Sequence, residues 1–186
     1  MAKVLYITNV SVDGYIEDEQ GSFDWTEPDD EYFTFITDVL RPAGTYLYGR
    51  RLYESMSVWE TDPSLAAGSD LMADFASVWQ SADKVVYSTT LDAVPTAKTR
   101  IERTFDAEAV RAMKAAAPSD LTIGGADLTA HALEAGLVDE LHLFVHPVLV
   151  GGGKPGLPSG VRADLELLDE RRFGNGIAYL RHRVAT

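Results

Sequence analysis

The stretch Thr45–Met56 changes character within a few residues, and that change limits what the chain can fold into. Thr45 to Tyr48 is β-branched and aromatic, the composition of a buried strand, whereas Leu52 to Met56 favours a helix. Gly49 stands at the switch, where no side chain keeps a ligand away from the backbone. A helix beginning there presents unpaired N–H groups and the positive end of its dipole, to which Arg50 and Arg51 add two full charges. The arrangement suits a phosphate, although an ordinary strand-to-helix turn with two solvated arginines reads the same way. Either way, strands that feed helices imply an α/β sheet.

The same arrangement recurs along the chain. Lys3 to Val10 is apolar on both faces, as in the middle of a parallel sheet, until Thr8, Asn9 and Ser11 break the pattern at its C-terminal end. Asp83 to Ser88 ends in Ser88-Thr89-Thr90, and Leu121 to Ile123 runs into Gly124-Gly125-Ala126-Asp127-Leu128 and a helix expected to reach Leu137. In open α/β sheets ligands bind beyond the carboxyl ends of strands, so these polar and glycine positions are site candidates; plain strand-end capping is the alternative.

Between these units the chain is less informative. Asp13-Gly14 is a turn signal, and Glu17-Asp18-Glu19 a solvated charge run without the alternating oxygen spacing of a calcium loop. Trp25 to Asp30 opens a helix to about Leu40, with Pro28 in its first turn and carboxylates complementing its N-terminus. A further helix lies within Leu65–Ala82, a short edge strand at Thr99–Arg103, and a helix at Asp106–Ala117. Asp139 to Val150 reads as one long strand. Its His142 and His146 lie about 13 Å apart along a strand, too far to share a metal ion, and are assigned to packing or an interface. Gly151 to Gly156 is a turn from which Lys154 would reach a substrate phosphate. Leu165–Phe173 and Ile177–Val184, joined by Gly174-Asn175-Gly176, form an antiparallel hairpin.

Composition narrows the function. Sixteen basic against 29 acidic residues leave a net charge of −13, which repels nucleic acid and anionic membranes. The absence of cysteine removes disulfides, thiolate nucleophiles and Cys-ligated metals. No apolar run approaches a membrane span, and residues 1–186 have room for one domain, so a single-domain cytoplasmic protein is expected.

Several segments carry a resemblance. Gly49-Arg50-Arg51-Leu52-Tyr53-Glu54-Ser55 resembles the Gly-Arg-x-Thr-Trp-Glu-Ser segment of dihydrofolate reductases and, more closely, that of their reductase relatives. Ser11-Val12-Asp13-Gly14-Tyr15-Ile16 is similar to the Ser-x-Asp-Gly-x-Ile of the C-terminal reductase domain of bifunctional riboflavin-biosynthesis deaminase-reductases and its stand-alone homologues. Ile123-Gly124-Gly125 resembles the Ile-Gly-Gly signature of both families, and Trp25-x-x-Pro28-x-Asp30 echoes dihydrofolate reductases. The resemblance implies a dihydrofolate reductase-like three-layer fold, its central sheet mostly parallel with an antiparallel C-terminal hairpin.

The resemblance also implies a function: hydride transfer from NADPH to a C=N bond or masked carbonyl of a pyrimidine- or pteridine-like substrate, as in 5-amino-6-(5-phosphoribosylamino)uracil reductase. Dihydrofolate reduction or a non-catalytic nucleotide-binding module are the alternatives. By the same resemblance, Thr8, Val10, Ile16 and Gly125 lie along the nicotinamide. Gly49, Arg50, Arg51 and Leu52 hold the phosphates on the adenosine side, and Ser88, Thr89 and Thr90 the adenosine half. Gly124, Ala126, Asp127 and Leu128 complete the pyrophosphate seat. Asn9, Asp13, Trp25 and Lys154 are expected at the substrate, with Asp30 as the catalytic carboxylate that orients it or assists protonation through water. In dihydrofolate reductases the Gly-Gly bond is cis. The riboflavin-type domains are dimers, so a homodimer is expected, with the Leu141–Val150 strand as a candidate interface.

Overall fold

The computed structural model describes residues 1–185. Its strands are β1 (Val4–Ser11), β2 (Tyr15–Glu17), β3 (Ala43–Gly49), β4 (Asp83–Tyr87), β5 (Thr99–Glu102), β6 (Asp120–Gly124), β7 (Glu140–His146), β8 (Lys154–Pro155), β9 (Asp164–Arg172) and β10 (Ala178–Ala185). The helices are α1 (Asp30–Leu40), α2 (Arg50–Met56), α3 (Val58–Thr61), α4 (Pro63–Ala66), α5 (Asp70–Ser81), α6 (Ala107–Ala116) and α7 (Ala126–Glu134).

Eight strands make one sheet in the order β5-β4-β3-β6-β1-β7-β10-β9, and β2 pairs with β8 in a separate ribbon. The first six run parallel; β10 is antiparallel to β7, and β9 to β10. This is the expected mostly parallel α/β sheet closed by an antiparallel hairpin.

Alternation along the strands builds the two outer layers. Tyr46, Tyr48 and Val86 meet Tyr53, Phe75 and Trp79 on one face, and Phe144 and Tyr179 on that side meet Tyr32 of α1. Val4, Tyr6, Leu47, Val85 and Ile123 point the other way, onto Val110 of α6 and Leu128 and Ala132 of α7. Glu140 and His142 are buried at the start of β7 under two partly exposed cations: Glu140 accepts from Lys3 Nζ at 2.6 Å, Arg181 Nε at 2.8 Å and Nη2 at 3.2 Å, and pairs with His142 Nε2 at 3.2 Å.

Three boundaries depart from the sequence reading. Helix α1 begins at Asp30 because Asp29 is its N-cap, the carboxylate accepting from Tyr32 N at 2.8 Å; Trp25 to Pro28 lie outside it. The helix after Gly125 ends at Glu134, and Leu137 instead packs as a buried residue beyond it. Strand β7 stops at His146, ahead of Pro147, which has no N–H for a ladder. Both edges of β7 are paired within the chain, by β1 and β10.

Candidate active site

The chain reverses its direction of travel across the sheet between β3 and β6. From β3 it proceeds outward to β4 and β5; from β6 it crosses β1 to reach β7. The two strands are neighbours, with Tyr48 opposite Gly124. Diverging connections open a crevice at their carboxyl ends, where α/β sheets bind ligands. Gly49 and Gly125 line it as the N-cap residues of α2 and α7, and neither helix start carries a side-chain cap. The leading N–H groups of both helices are therefore left for a ligand.

Close backbone approach explains the glycines. A Cβ on Gly125 would stand 3.5 Å from the nitrogen of Gly49, and one on Gly124 only 2.4 Å from Leu52 Cδ2. Gly125 also holds φ +99°, a conformation other residues rarely adopt. The Gly124–Gly125 bond is trans, unlike that of dihydrofolate reductases.

Charge gathers on one side of the crevice. Arg50 and Arg51 are exposed at the start of α2, Arg50 lying 3.7 Å from Glu54. A cavity of about 510 Å³ is lined by Arg51 and Lys154 together with Glu17, Asp18, Glu19 and Gly153. Lys154 Nζ donates to Asp127 Oδ2 at 2.9 Å, which offsets the carboxylate in the first turn of α7. Lys154, expected at the substrate, lines this cavity together with Arg51. At the end of β4, Ser88 is buried and its Oγ accepts from Thr90 N and Leu91 N, while Thr89 and Thr90 are exposed. Arg103 braces this turn by donating to the carbonyls of Ser88 and Leu91.

Polar and aromatic groups gather at the ends of β1 and β7. Asn9 Oδ1 accepts from Tyr32 Oη at 2.6 Å and lies 2.9 Å from His146 Nε2. Trp25 packs edge-on against His146, ring centroids 5.4 Å apart, and its Nε1 is buried with no partner among the described residues. Burial pulls the His146 pKa down to about 4, so the ring is neutral near pH 7. Asp30 is exposed in the first turn of α1, two residues before Tyr32.

The loop after β1 folds back as the β2–β8 ribbon, which packs against the Tyr6 and Val10 side of β1 rather than the Asn9 side. Asp13, expected at the substrate, directs its carboxylate to the N–H groups of Val150 (3.2 Å) and Gly151 (2.8 Å). A hydrogen bond with Ser11 and these backbone N–H groups hold its pKa below the usual carboxylate range. Gly156 is buried beneath the ribbon, where a Cβ would meet Val10 Cγ1 at 2.5 Å and Ile16 Cγ2 at 2.9 Å, and Tyr6 Oη donates to its carbonyl at 2.6 Å. Val10 and Ile16 thus share one surface, while Thr8 lies on the same strand with its Oγ1 turned to the Asn9 carbonyl.

The structure therefore gathers Gly49, Leu52 and Gly124 to Leu128 at the switch point, with Arg51 and Lys154 at one flank and Asn9 and Trp25 at the end of β1. Tyr32 and His146 are not among the site residues expected from the sequence, which assigns His146 to packing or an interface. The available signal was alternation: Glu140, His142, Phe144 and His146 share one face of a strand apolar on the other, and buried polar side chains need partners.

The chain matches the model of the RibD C-terminal domain over residues 2–179. It is 30% identical over 173 residues to the uncharacterised protein YyaP of Bacillus subtilis (strain 168), covering 92% of this chain and 89% of YyaP. It is also 30% identical over 158 residues to YwjB of the same organism, covering 82% and 80%. Among solved structures, a candidate riboflavin biosynthesis protein from Shewanella sp. PV-4 superposes with a TM-score of 0.76 at 20% identity, over the full length of both chains. Acinetobacter baumannii RibD superposes with a TM-score of 0.70 at 14% identity, over all of this chain and 58% of that one.

Proposed function

Because the chain belongs to the RibD C-terminal domain family, we propose that it is an NADPH-dependent reductase of a pyrimidine- or pteridine-like substrate. One observation carries the reading: Gly49 and Gly125 meet at the switch point, each opening a helix with uncapped N–H groups, and Arg51 stands at the rim. Two uncapped helix starts beside guanidinium groups fit the phosphates of a dinucleotide, and arginine favours an added 2′-phosphate. NADPH would supply the hydride.

The chain's own share is positioning. Gly49 and Gly124 to Leu128 bear the pyrophosphate, Arg50 and Arg51 the adenosine-side phosphates, and Ser88 to Thr90 the adenosine half. Thr8, Val10, Ile16 and Gly125 flank the nicotinamide. Substrate lies between the Asp13–Trp25 loop, Asn9 and the start of α1, with water excluded when that loop closes. Asp30 orients the substrate or passes a proton through water. A homodimer belongs to this reading and is tested by light scattering.

The test is NADPH oxidation against aminopyrimidine ribosides, pterins and folates, with NADPH binding followed by fluorescence. Turnover by one class, together with weakened binding in an Arg50→Ala/Arg51→Ala variant, supports the reading. Binding without turnover points to a nucleotide-binding module, and no binding ends the assignment. Asp30 is exposed and leaves the capping of α1 to Asp29, which favours a second reading as a dihydrofolate reductase. Dihydrofolate turnover lost in Asp30→Asn would decide for it.

A further inference from the structure

Two cations line the cavity beside the crevice, and they are not in the same state. Among the described residues Arg51 has no carboxylate within ion-pair distance, whereas Lys154 Nζ donates to Asp127 Oδ2 at 2.9 Å. Lys154 belongs to β8 of the ribbon and Asp127 to the first turn of α7, so the pair ties the ribbon to a helix that opens at the crevice. Asp127 is not a cap: Gly125 holds that position, and no side chain bonds to the N–H groups there. Lys154 is the one hydrogen-bond partner of the Asp127 carboxylate among the described residues, and the Asp127 side chain is 89% exposed against 27% for Lys154. A carboxylate in a first turn favours the helix, yet it sets a fixed negative charge where uncapped N–H groups would otherwise attract an anion. Glu17, Asp18 and Glu19 line the same cavity and oppose a phosphate in the same sense.

We propose that Asp127 is a resident competitor for the phosphate seat: it holds Lys154 in the ligand-free protein, yields it to an arriving phosphate, and so sets dinucleotide affinity below what Arg51, Lys154 and the two helix starts would give alone. This inference rests on the reading of the crevice as a dinucleotide site. The main-chain N–H of Asp127 belongs to the helix start that bears the pyrophosphate, while its carboxylate works against the same group. Lys154 already lines the cavity with Arg51, so the transfer takes a rotation of its flexible side chain and no movement of the ribbon. The exchange is one for one. Lys154 gives up a charge-assisted bond to carboxylate and gains one to phosphate, so its net contribution to binding is the difference between the two. Asp127, left without its partner, then faces the phosphate charge directly. Both effects lower affinity, and lower affinity is expressed chiefly as faster dissociation, which suits a dinucleotide that must leave after each turnover.

The test titrates NADPH, followed by fluorescence, and inorganic pyrophosphate, followed by calorimetry, into the wild-type chain, Asp127→Asn, Lys154→Met and the double variant. Asp127→Asn should bind both probes about threefold to tenfold tighter at low salt, the gain shrinking as ionic strength rises. Lys154→Met should bind both more weakly. The gain from Asp127→Asn should be smaller in the Lys154→Met background, because no ion pair is left there to break. Asp127→Glu, which keeps the charge, should stay near the wild type. A role in tethering the ribbon or in charging the helix alone predicts neither tighter binding nor this non-additivity. Unchanged or weaker NADPH binding in Asp127→Asn overturns the proposal and leaves the dinucleotide reading standing; an equal gain in both backgrounds overturns it too, since Lys154 would then not change partners. Tighter pyrophosphate binding in Asp127→Asn, with no variant binding NADPH, supports the competitor and removes the reductase reading. Failure of every variant to bind either probe overturns both.

Discussion

Gly125 lies against the backbone of Gly49, close enough that a methyl group on the former would stand 3.5 Å from the amide nitrogen of the latter. That distance alone is tolerable; φ +99° is not. Gly125→Ala should lower stability by about 1–3 kcal/mol and weaken NADPH binding. Gly49 holds φ −70°, where its Cβ would meet only Gly124 O at 3.9 Å, so Gly49→Ala should fold normally yet place a methyl where phosphate approaches. Thermal melts and NADPH titrations of both variants check this; unchanged NADPH affinity in Gly49→Ala would refute the close approach.

The two arginines should not contribute equally. Arg50 lies 3.7 Å from Glu54 on an exposed face, whereas Arg51 lines the cavity with Lys154. Arg51→Ala should raise the NADPH dissociation constant about tenfold and leave NADH nearly unaffected, with a shallower salt dependence. Arg50→Ala should do less. A measured NADPH/NADH ratio unchanged by Arg51→Ala would remove the 2′-phosphate contact.

Acid should lower stability over two pH ranges. Burial lowers the pKa of His142 and takes His146 from 6.5 to about 4. Both are neutral when folded and bind protons more readily when unfolded. Their contribution is complete above pH 6.5 and is lost as pH falls, through about 4 for His146. Burial raises the Glu140 pKa, but Arg181 and Lys3 together outweigh it and hold it near 2, so its contribution is lost below about 4.5. His146 alone should account for about 2 kcal/mol between pH 7 and pH 5. Denaturant melts at those two values would show a flatter pH dependence in His146→Gln; an identical slope would contradict the burial argument.

Asp13 should matter through the ribbon. Its carboxylate holds the N–H groups of Val150 and Gly151, 137 and 138 residues away in sequence. Asp13→Ala should speed hydrogen exchange at Val150 to Lys154 and raise the substrate KM several-fold with a smaller change in NADPH affinity. Asp13→Asn, which keeps one acceptor, should fall between. Unaltered exchange in the alanine variant would show that the ribbon does not depend on this tether.

What the sequence makes legible are features carried by neighbours in the chain. The strand–glycine–helix turn at Gly49, the Ile123-Gly124-Gly125 turn, the Asp106 cap of α6 and the C-terminal hairpin all rest on contacts within a few residues. The β2–β8 pairing escapes such a reading, because Lys154 and Pro155 carry no strand pattern and acquire one only against Tyr15 and Glu17. Asp29 and Asp30 are interchangeable as helix-start carboxylates until the backbone turns, and it is Asp29 that caps. His146 is obscured for the same reason: its partner Asn9 lies 137 residues away, and spacing along a single strand says nothing about a neighbouring one.

The middle of the sheet is completed late. Strand β6 fills the gap between β1 and β3, although seventy residues separate it from the second of them. During synthesis the two earlier strands must wait, their inner edges unpaired, until Asp120 to Gly124 has emerged. The peptide that unites them ends at Gly124, directly before Gly125 of the crevice, so the nascent chain acquires its candidate ligand seat and its structural integrity in the same event.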